Sequence, residues 1–141
     1  MRRRKRLIVV ASTVLAVLAV GLLLLHRTGV LQTYTLDVAG EPGRAVAGTV
    51  TADGVPHTFR GVLPLKVEYR ASRLEFAFAP ADGRPDDSFA VHVRVNGEEW
   101  GHCNNPSGVK GGHERTGVPG WGIRGGGIGG LNAAEVAALT R

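Results

Sequence analysis

Apolar residues form one uninterrupted run near the amino terminus and alternate with polar residues over much of the remaining chain. The run is Leu7–Leu25, nineteen residues without a charge, of which Ser12 and Thr13 are the most polar. As a helix it is about 28 Å long, close to the ~30 Å hydrocarbon core of a bilayer. The pattern predicts a single transmembrane helix over residues 7–25, after a basic cytoplasmic segment over residues 1–6.

Beyond residue 32 the apolar positions recur at every second residue, which is typical of half-buried strands. The clearest case is residues 65–70, where Leu65, Val67 and Tyr69 alternate with charged residues. Asp53-Gly54 and Asn96-Gly97 are tight hairpin signals, and Pro64 marks a strand start or a corner. Five further alternating segments are residues 33–38, 45–51, 57–63, 74–79 and 89–95, and the Asn96-Gly97 turn predicts a return strand over residues 98–103.

These segments predict an all-β domain of about seven strands at roughly ten-residue spacing. The default architecture is an immunoglobulin-like antiparallel β-sandwich, with a small barrel as the alternative. The domain spans residues 33–107 and follows a connector over residues 26–32.

The last segment, residues 108–141, is predicted to be a glycine-rich tail. It contains 11 glycines between residues 108 and 130 and shows no periodicity, so much of it is expected to be mobile. Asn132-Ala133-Ala134-Glu135 resembles a capping box and predicts a short helix ending at Arg141. Residues 125–130 satisfy GxGxxG, but a dinucleotide site needs a βαβ unit and an acidic residue about 20 positions later.

Charge argues against nucleic-acid binding. The formal net charge is +5, yet residues 28–141 carry eleven cationic and twelve acidic residues and are slightly negative. The basicity therefore belongs to the flank of the apolar run.

The same flank predicts topology, because cationic flanks stay cytoplasmic. We expect a single-pass cell-membrane protein with a cytoplasmic amino terminus and an extracytoplasmic domain. A cleaved signal peptide is the competing interpretation. The run exceeds the 7–15 residues of an ordinary signal core, and no small-x-small cleavage site follows Leu25.

Catalytic signatures such as GxSxG or HExxH are absent from the sequence, so neither an enzyme nor a cofactor is predicted. Cys103 is the single cysteine and is expected to be a buried thiol, with pairing to another chain as the alternative. His102, Cys103 and His113 are the residues from which a metal site would be built. Their spacing matches no zinc motif, so the prediction is no metal site.

Several short motifs occur along the chain: Tyr34-x-Leu36-x-Val38-x-Gly40, Asp53-Gly54, the corner Val62-Leu63-Pro64 and the hairpin Val93-Arg94-Val95-Asn96-Gly97-Glu98. Together they resemble the mycobacterial small membrane protein (MmpS) family, and the resemblance covers residues 1 to about 101. Members of that family accompany large resistance–nodulation–division exporters of lipids and siderophores. Leu65 replaces the aromatic residue that the family often has after the corner, and the glycine-rich tail has no counterpart there.

The resemblance implies a membrane-anchored accessory protein whose partner is a larger membrane protein or envelope complex. The alternative is an extracytoplasmic module that binds a glycan or lipid of the cell envelope. Trp100 and Trp121 are the candidate contact residues, because aromatic side chains commonly anchor such interfaces.

Overall fold

The computed structural model describes residues 2–27, 31–116 and 123–141. Over these ranges the chain forms two helices and nine strands. In order they are α1 (Arg2–Arg27), β1 (Gln32–Ala39), β2 (Ala45–Ala52), β3 (Val55–Val62), β4 (Leu65–Ala71), β5 (Arg73–Pro80), β6 (Ala90–Val95), β7 (Glu98–Asn104), β8 (Val109–Thr116), β9 (Ile123–Gly130) and α2 (Ala133–Thr140).

The apolar run is helical, as predicted, and lies within α1. Ten of its large apolar side chains, between Ile8 and Leu23, have exposed fractions of 54–72%. The hydroxyl groups of Ser12 and Thr13 both donate to the carbonyl oxygen of Val9. Among the described residues, no helix combines the length and apolar character that crossing a membrane requires. The transmembrane assignment stays a prediction.

The strands form two antiparallel sheets, which confirms a sandwich-like all-β domain. One sheet has the order β4-β1-β6-β7 and the other β3-β2-β5-β8-β9. One of the connections between the two sheets contains Leu63-Pro64, a cis peptide that joins β3 to β4 and confirms the predicted corner. The immunoglobulin-like assignment stays a prediction.

A single hydrophobic core lies between the sheets. The four-stranded sheet contributes the fully buried Tyr34, Leu36 and Val93, and the other sheet contributes Phe78 and Val109. The apolar positions of the alternating pattern are thus the buried ones, because successive side chains of a strand point to opposite faces.

Both predicted hairpin turns are present. Asp53 and Gly54 have φ of 48° and 83°, and Asn96 and Gly97 have φ of 53° and 82°. Positive φ at both central residues matches the right-handed twist of the flanking strands.

The prediction of seven strands was wrong, because β8 and β9 add two. They lie in the segment predicted to be a mobile glycine-rich tail, and they extend the second sheet through pairing of β8 with β5 and of β9 with β8. Glycines have no side chains with which to show alternation, yet their backbone groups pair like any others. The two strands were therefore missed because glycine hides the two-residue alternation from which strands are predicted.

The predicted carboxy-terminal helix is confirmed as α2. Asn132 is its N-cap and forms a reciprocal capping box with Glu135. The helix packs against β2 and β5 of the five-stranded sheet. Such packing explains why a helix of eight residues, marginal in water by itself, is formed here.

Candidate functional site

The three residues considered for a metal site lie in different surroundings. His102 and Cys103 are neighbours on β7, with His102 exposed and Cys103 partly buried against the core. His113 lies on β8 in the other sheet and is only 5% exposed. The structure therefore does not bring these three side chains together.

His113 instead belongs to a buried polar contact between the sheets. Its Nδ1 lies 2.8 Å from the hydroxyl oxygen of Tyr34 on β1. Burial, together with the charges of Asp53 and Glu114, raises the pKa of Tyr34 to about 12. Trp100 contacts the same imidazole edge-on, with ring centroids 4.9 Å apart.

The candidate contact residue Trp100 is therefore half-buried and packed on the core. An aromatic side chain in this position stabilises the contact between the sheets and offers only part of its surface to a partner. The other candidate, Trp121, lies outside the described residues.

A β-bulge reshapes the β6–β7 hairpin. Regular pairing from the Asn96-Gly97 turn would place Gly101 opposite His92. The register shifts between Val93 and Arg94, so that His92 pairs directly with His102. The extra residue also changes which face the following side chains occupy, as bulges generally do.

The outward face of this hairpin brings together His92, Glu99 and His102, whose ligand atoms all lie within 4.8 Å of one another. The two imidazole rings are stacked, with centroids 5.2 Å apart and an angle of 15° between their planes. The Oε1 atom of Glu99 lies 3.4 Å from Nδ1 of His102 and 4.0 Å from Nδ1 of His92. Of these residues, only His102 was considered from the sequence.

A second feature is an open groove of about 630 Å³ between α2 and the five-stranded sheet. Phe76, Ile128, Leu131, Ala138 and Leu139 give the groove much of its apolar lining. Four glycines of β8 and β9 complete the floor: Gly111, Gly112, Gly127 and Gly129. A Cβ at Gly127 or Gly129 would meet no atom within 4 Å, so these two positions leave open space above the strands.

One charged pair lies at the groove. Nζ of Lys110 on β8 lies 2.5 Å from Oε1 of Glu135 on α2. This hydrogen bond lowers the pKa of Glu135, whose carboxylate also accepts from the backbone N–H of Asn132. The pair joins the helix to the sheet and gives the apolar groove a polar rim.

No known protein-family model matches this chain, and no curated protein shows detectable similarity to it. Any functional conclusion therefore depends on the sequence pattern and on the geometry described above.

Proposed function

We propose that the chain is a membrane-tethered, non-catalytic interaction protein, with α1 as its anchor and the sandwich as an extracytoplasmic domain. The exposure of ten large apolar side chains of α1 supports this proposal most directly. Among the described residues α1 does not reach the length and apolar character of a membrane span. Its side chains over residues 8–23 are nevertheless mostly apolar and exposed, and such a segment normally lies in a protein core or in a membrane. The sandwich already has its own buried core, so a lipid environment accounts best for these side chains.

Two further observations favour an anchor. The hydroxyl groups of Ser12 and Thr13 bond within the helix, which removes the cost of placing them in lipid. The basic segment over residues 1–6 favours a cytoplasmic amino terminus. On this topology, the immunoglobulin-like domain would contact the outer part of a larger membrane protein, and the MmpS resemblance favours an exporter of the resistance–nodulation–division class.

Alkaline carbonate extraction of membranes containing the full chain tests the anchor. We expect the unmodified chain to remain in the membrane pellet with residues 1–25 still present by mass spectrometry. Leu15→Arg with Leu18→Arg should release it, because each central arginine costs about 2.5–3.5 kcal/mol on insertion. Release of the unmodified chain, or a mass that shows cleavage, would contradict the anchor.

A matched control adds two arginines to the sandwich. Val55→Arg with Val62→Arg places them at two exposed apolar positions of β3, which are 55% and 56% exposed. This variant should stay in the pellet. Cross-linking in native membranes then tests the partner: a larger membrane protein linked to the sandwich is expected, and recovery of monomer alone would count against it.

The groove beside α2 favours a second candidate function, the binding of a lipid acyl chain by the tethered domain. Its lining is largely apolar, and four glycines of β8 and β9 add no side chains to it. A glycan would require a denser set of polar partners or an exposed aromatic platform. A tether would also keep the groove close to the membrane that supplies the lipid.

A photoactivatable fatty acid, with the attachment sites mapped by mass spectrometry, tests this second function on the full chain. We expect labels on β9 and α2. Ala138→Trp fills the groove and should abolish those labels, whereas Ala134→Trp, at an exposed position outside the lining, should not. Labelling confined to α1, or unchanged in Ala138→Trp, would refute the lipid site.

A further inference from the structure

We propose that His92, Glu99 and His102 form a binding site for one divalent transition-metal ion on the exposed face of the β6–β7 hairpin. The site is independent of the membrane tether and of the groove. Its donor set is two imidazoles and one carboxylate, which is a combination found in zinc sites that keep a fourth position open.

The distances fit this assignment. Tetrahedral zinc with bonds of about 2.0–2.1 Å places its ligand atoms about 3.4 Å apart. Oε1 of Glu99 and Nδ1 of His102 are already 3.4 Å apart, and the corresponding distance to His92 is 4.0 Å. The stacked imidazole rings must turn about their side-chain bonds to aim both nitrogens at one ion, and both side chains are exposed.

The backbone positions these side chains through the bulge. It places His92 directly opposite His102 and turns Glu99 to the same outward face. In a regular strand, residues 99 and 102 would point to opposite faces, because their separation is odd. The central strand β6 is fixed on its other side by the buried Val91 and Val93. The three ligands are consequently presented by a rigid sheet rather than by a loop.

The surrounding charges favour a cation only weakly. Asp37 on β1 pairs in register with His92, and its Oδ2 atom is buried with no hydrogen-bond partner among the described residues. The nearest guanidinium nitrogen of Arg94 is 3.7 Å from that oxygen, beyond hydrogen-bond range. Arg94 also faces Glu99, and Lys66 faces Asp37. Two cations thus balance two carboxylates, and affinity must come from direct ligation.

Ligand chemistry selects the class of ion. Imidazole nitrogen suits Zn²⁺, Cu²⁺ and Ni²⁺, whereas Ca²⁺ and Mg²⁺ prefer oxygen ligands. Metal binding through imidazole nitrogen generally requires the neutral ring, so protons and the ion compete for the same nitrogen atoms.

Zinc calorimetry on the full chain in detergent, with any purification tag removed, tests the site. We expect one equivalent of Zn²⁺ to bind at pH 7.5, with the affinity falling at pH 5.5. His92→Gln, His102→Gln and Glu99→Gln should each weaken binding by about tenfold or more, because each removes one ligand. His57→Gln, at an exposed histidine of β3, should leave binding unchanged, and Ca²⁺ should not compete.

Electron paramagnetic resonance with Cu²⁺ identifies the ligands separately. The spectrum should show two imidazole nitrogens in the unmodified chain and in His57→Gln, and one in His92→Gln or His102→Gln. The altered side chains are exposed, so circular dichroism should remain that of the folded domain. Absence of zinc heat above the buffer value, or equal binding in the ligand variants and His57→Gln, would overturn the proposal.

Discussion

The hydroxyl group of Tyr34 on β1 links the two sheets through its hydrogen bond to His113 on β8. It shares a hydrogen bond with Nδ1 of His113 at 2.8 Å and lies 3.3 Å from the carbonyl oxygen of Ser72. Because burial raises its pKa to about 12, the hydroxyl stays protonated and able to donate well into the alkaline range. Removing one partner of a buried hydrogen bond lowers the free energy of unfolding by more than the bond itself contributes.

Tyr34→Phe should therefore lower the free energy of unfolding by about 1–3 kcal/mol, because it leaves the buried His113 without this partner. Tyr69→Phe is the matched control. Tyr69 is partly buried, and its substitution should change the free energy by less than about 1 kcal/mol. Denaturant unfolding of the full chain in detergent measures both values, and equal losses in the two variants would contradict the role assigned to Tyr34.

At the scale of residues, the grouping of the proposed metal ligands could not be predicted from the sequence. His102 can be identified as a possible ligand from its residue type, but His92 and Glu99 join it only through the register shift. The Asn96-Gly97 turn predicts the hairpin and a regular pairing that puts Gly101 opposite His92. Nothing in the residue types places an additional residue at this point, so the bulge has to be observed.

At the scale of elements, a strand can be predicted from the sequence mainly where apolar and polar side chains alternate. Six strands follow from alternation, β7 follows from the Asn96-Gly97 turn, and α2 follows from the capping box at Asn132. β9 escapes prediction because five of its eight residues are glycine, and in β8 the adjacent Gly111 and Gly112 interrupt the alternation. The backbones of both strands nevertheless complete the five-stranded sheet and the groove floor. The candidate groove could consequently not be predicted from the sequence.

Two adjacent glycines of β9 provide a test of this pairing. Gly126 has φ of 148°, and a Cβ there would overlap the carbonyl oxygen of Gly112 on β8. A Cβ at Gly127 meets no atom within 4 Å. Gly126→Ala should lower the free energy of unfolding by about 1–3 kcal/mol through backbone strain and lost pairing.

Gly127→Ala is the control and should stay within about 1 kcal/mol of the unmodified chain. Hydrogen exchange gives a second measure, because Gly126→Ala should reduce protection of the β8 amides selectively. Indistinguishable melting and exchange in the two variants would show that β9 does not pair with β8 in the register described here.

At the scale of the whole molecule, the proposed tether would change what the domain needs in order to act. Confinement beside a membrane raises the effective concentration of the domain toward its partners, so weak contacts suffice. The open groove and the exposed hairpin are surfaces on which such contacts can form. If the chain were instead secreted after cleavage, the fold would be unaffected and the accessory proposal would lose its main support.

Sided cysteine labelling tests the topology most directly. In a Cys103→Ser background, Ser107→Cys places a thiol at an exposed position of the domain, and Lys5→Cys places one in the basic segment. A membrane-impermeant maleimide applied to intact protoplasts should label Ser107→Cys at once and Lys5→Cys only after permeabilisation. Labelling of Lys5→Cys alone in intact protoplasts, or protection of both thiols, would contradict an extracytoplasmic domain anchored by α1.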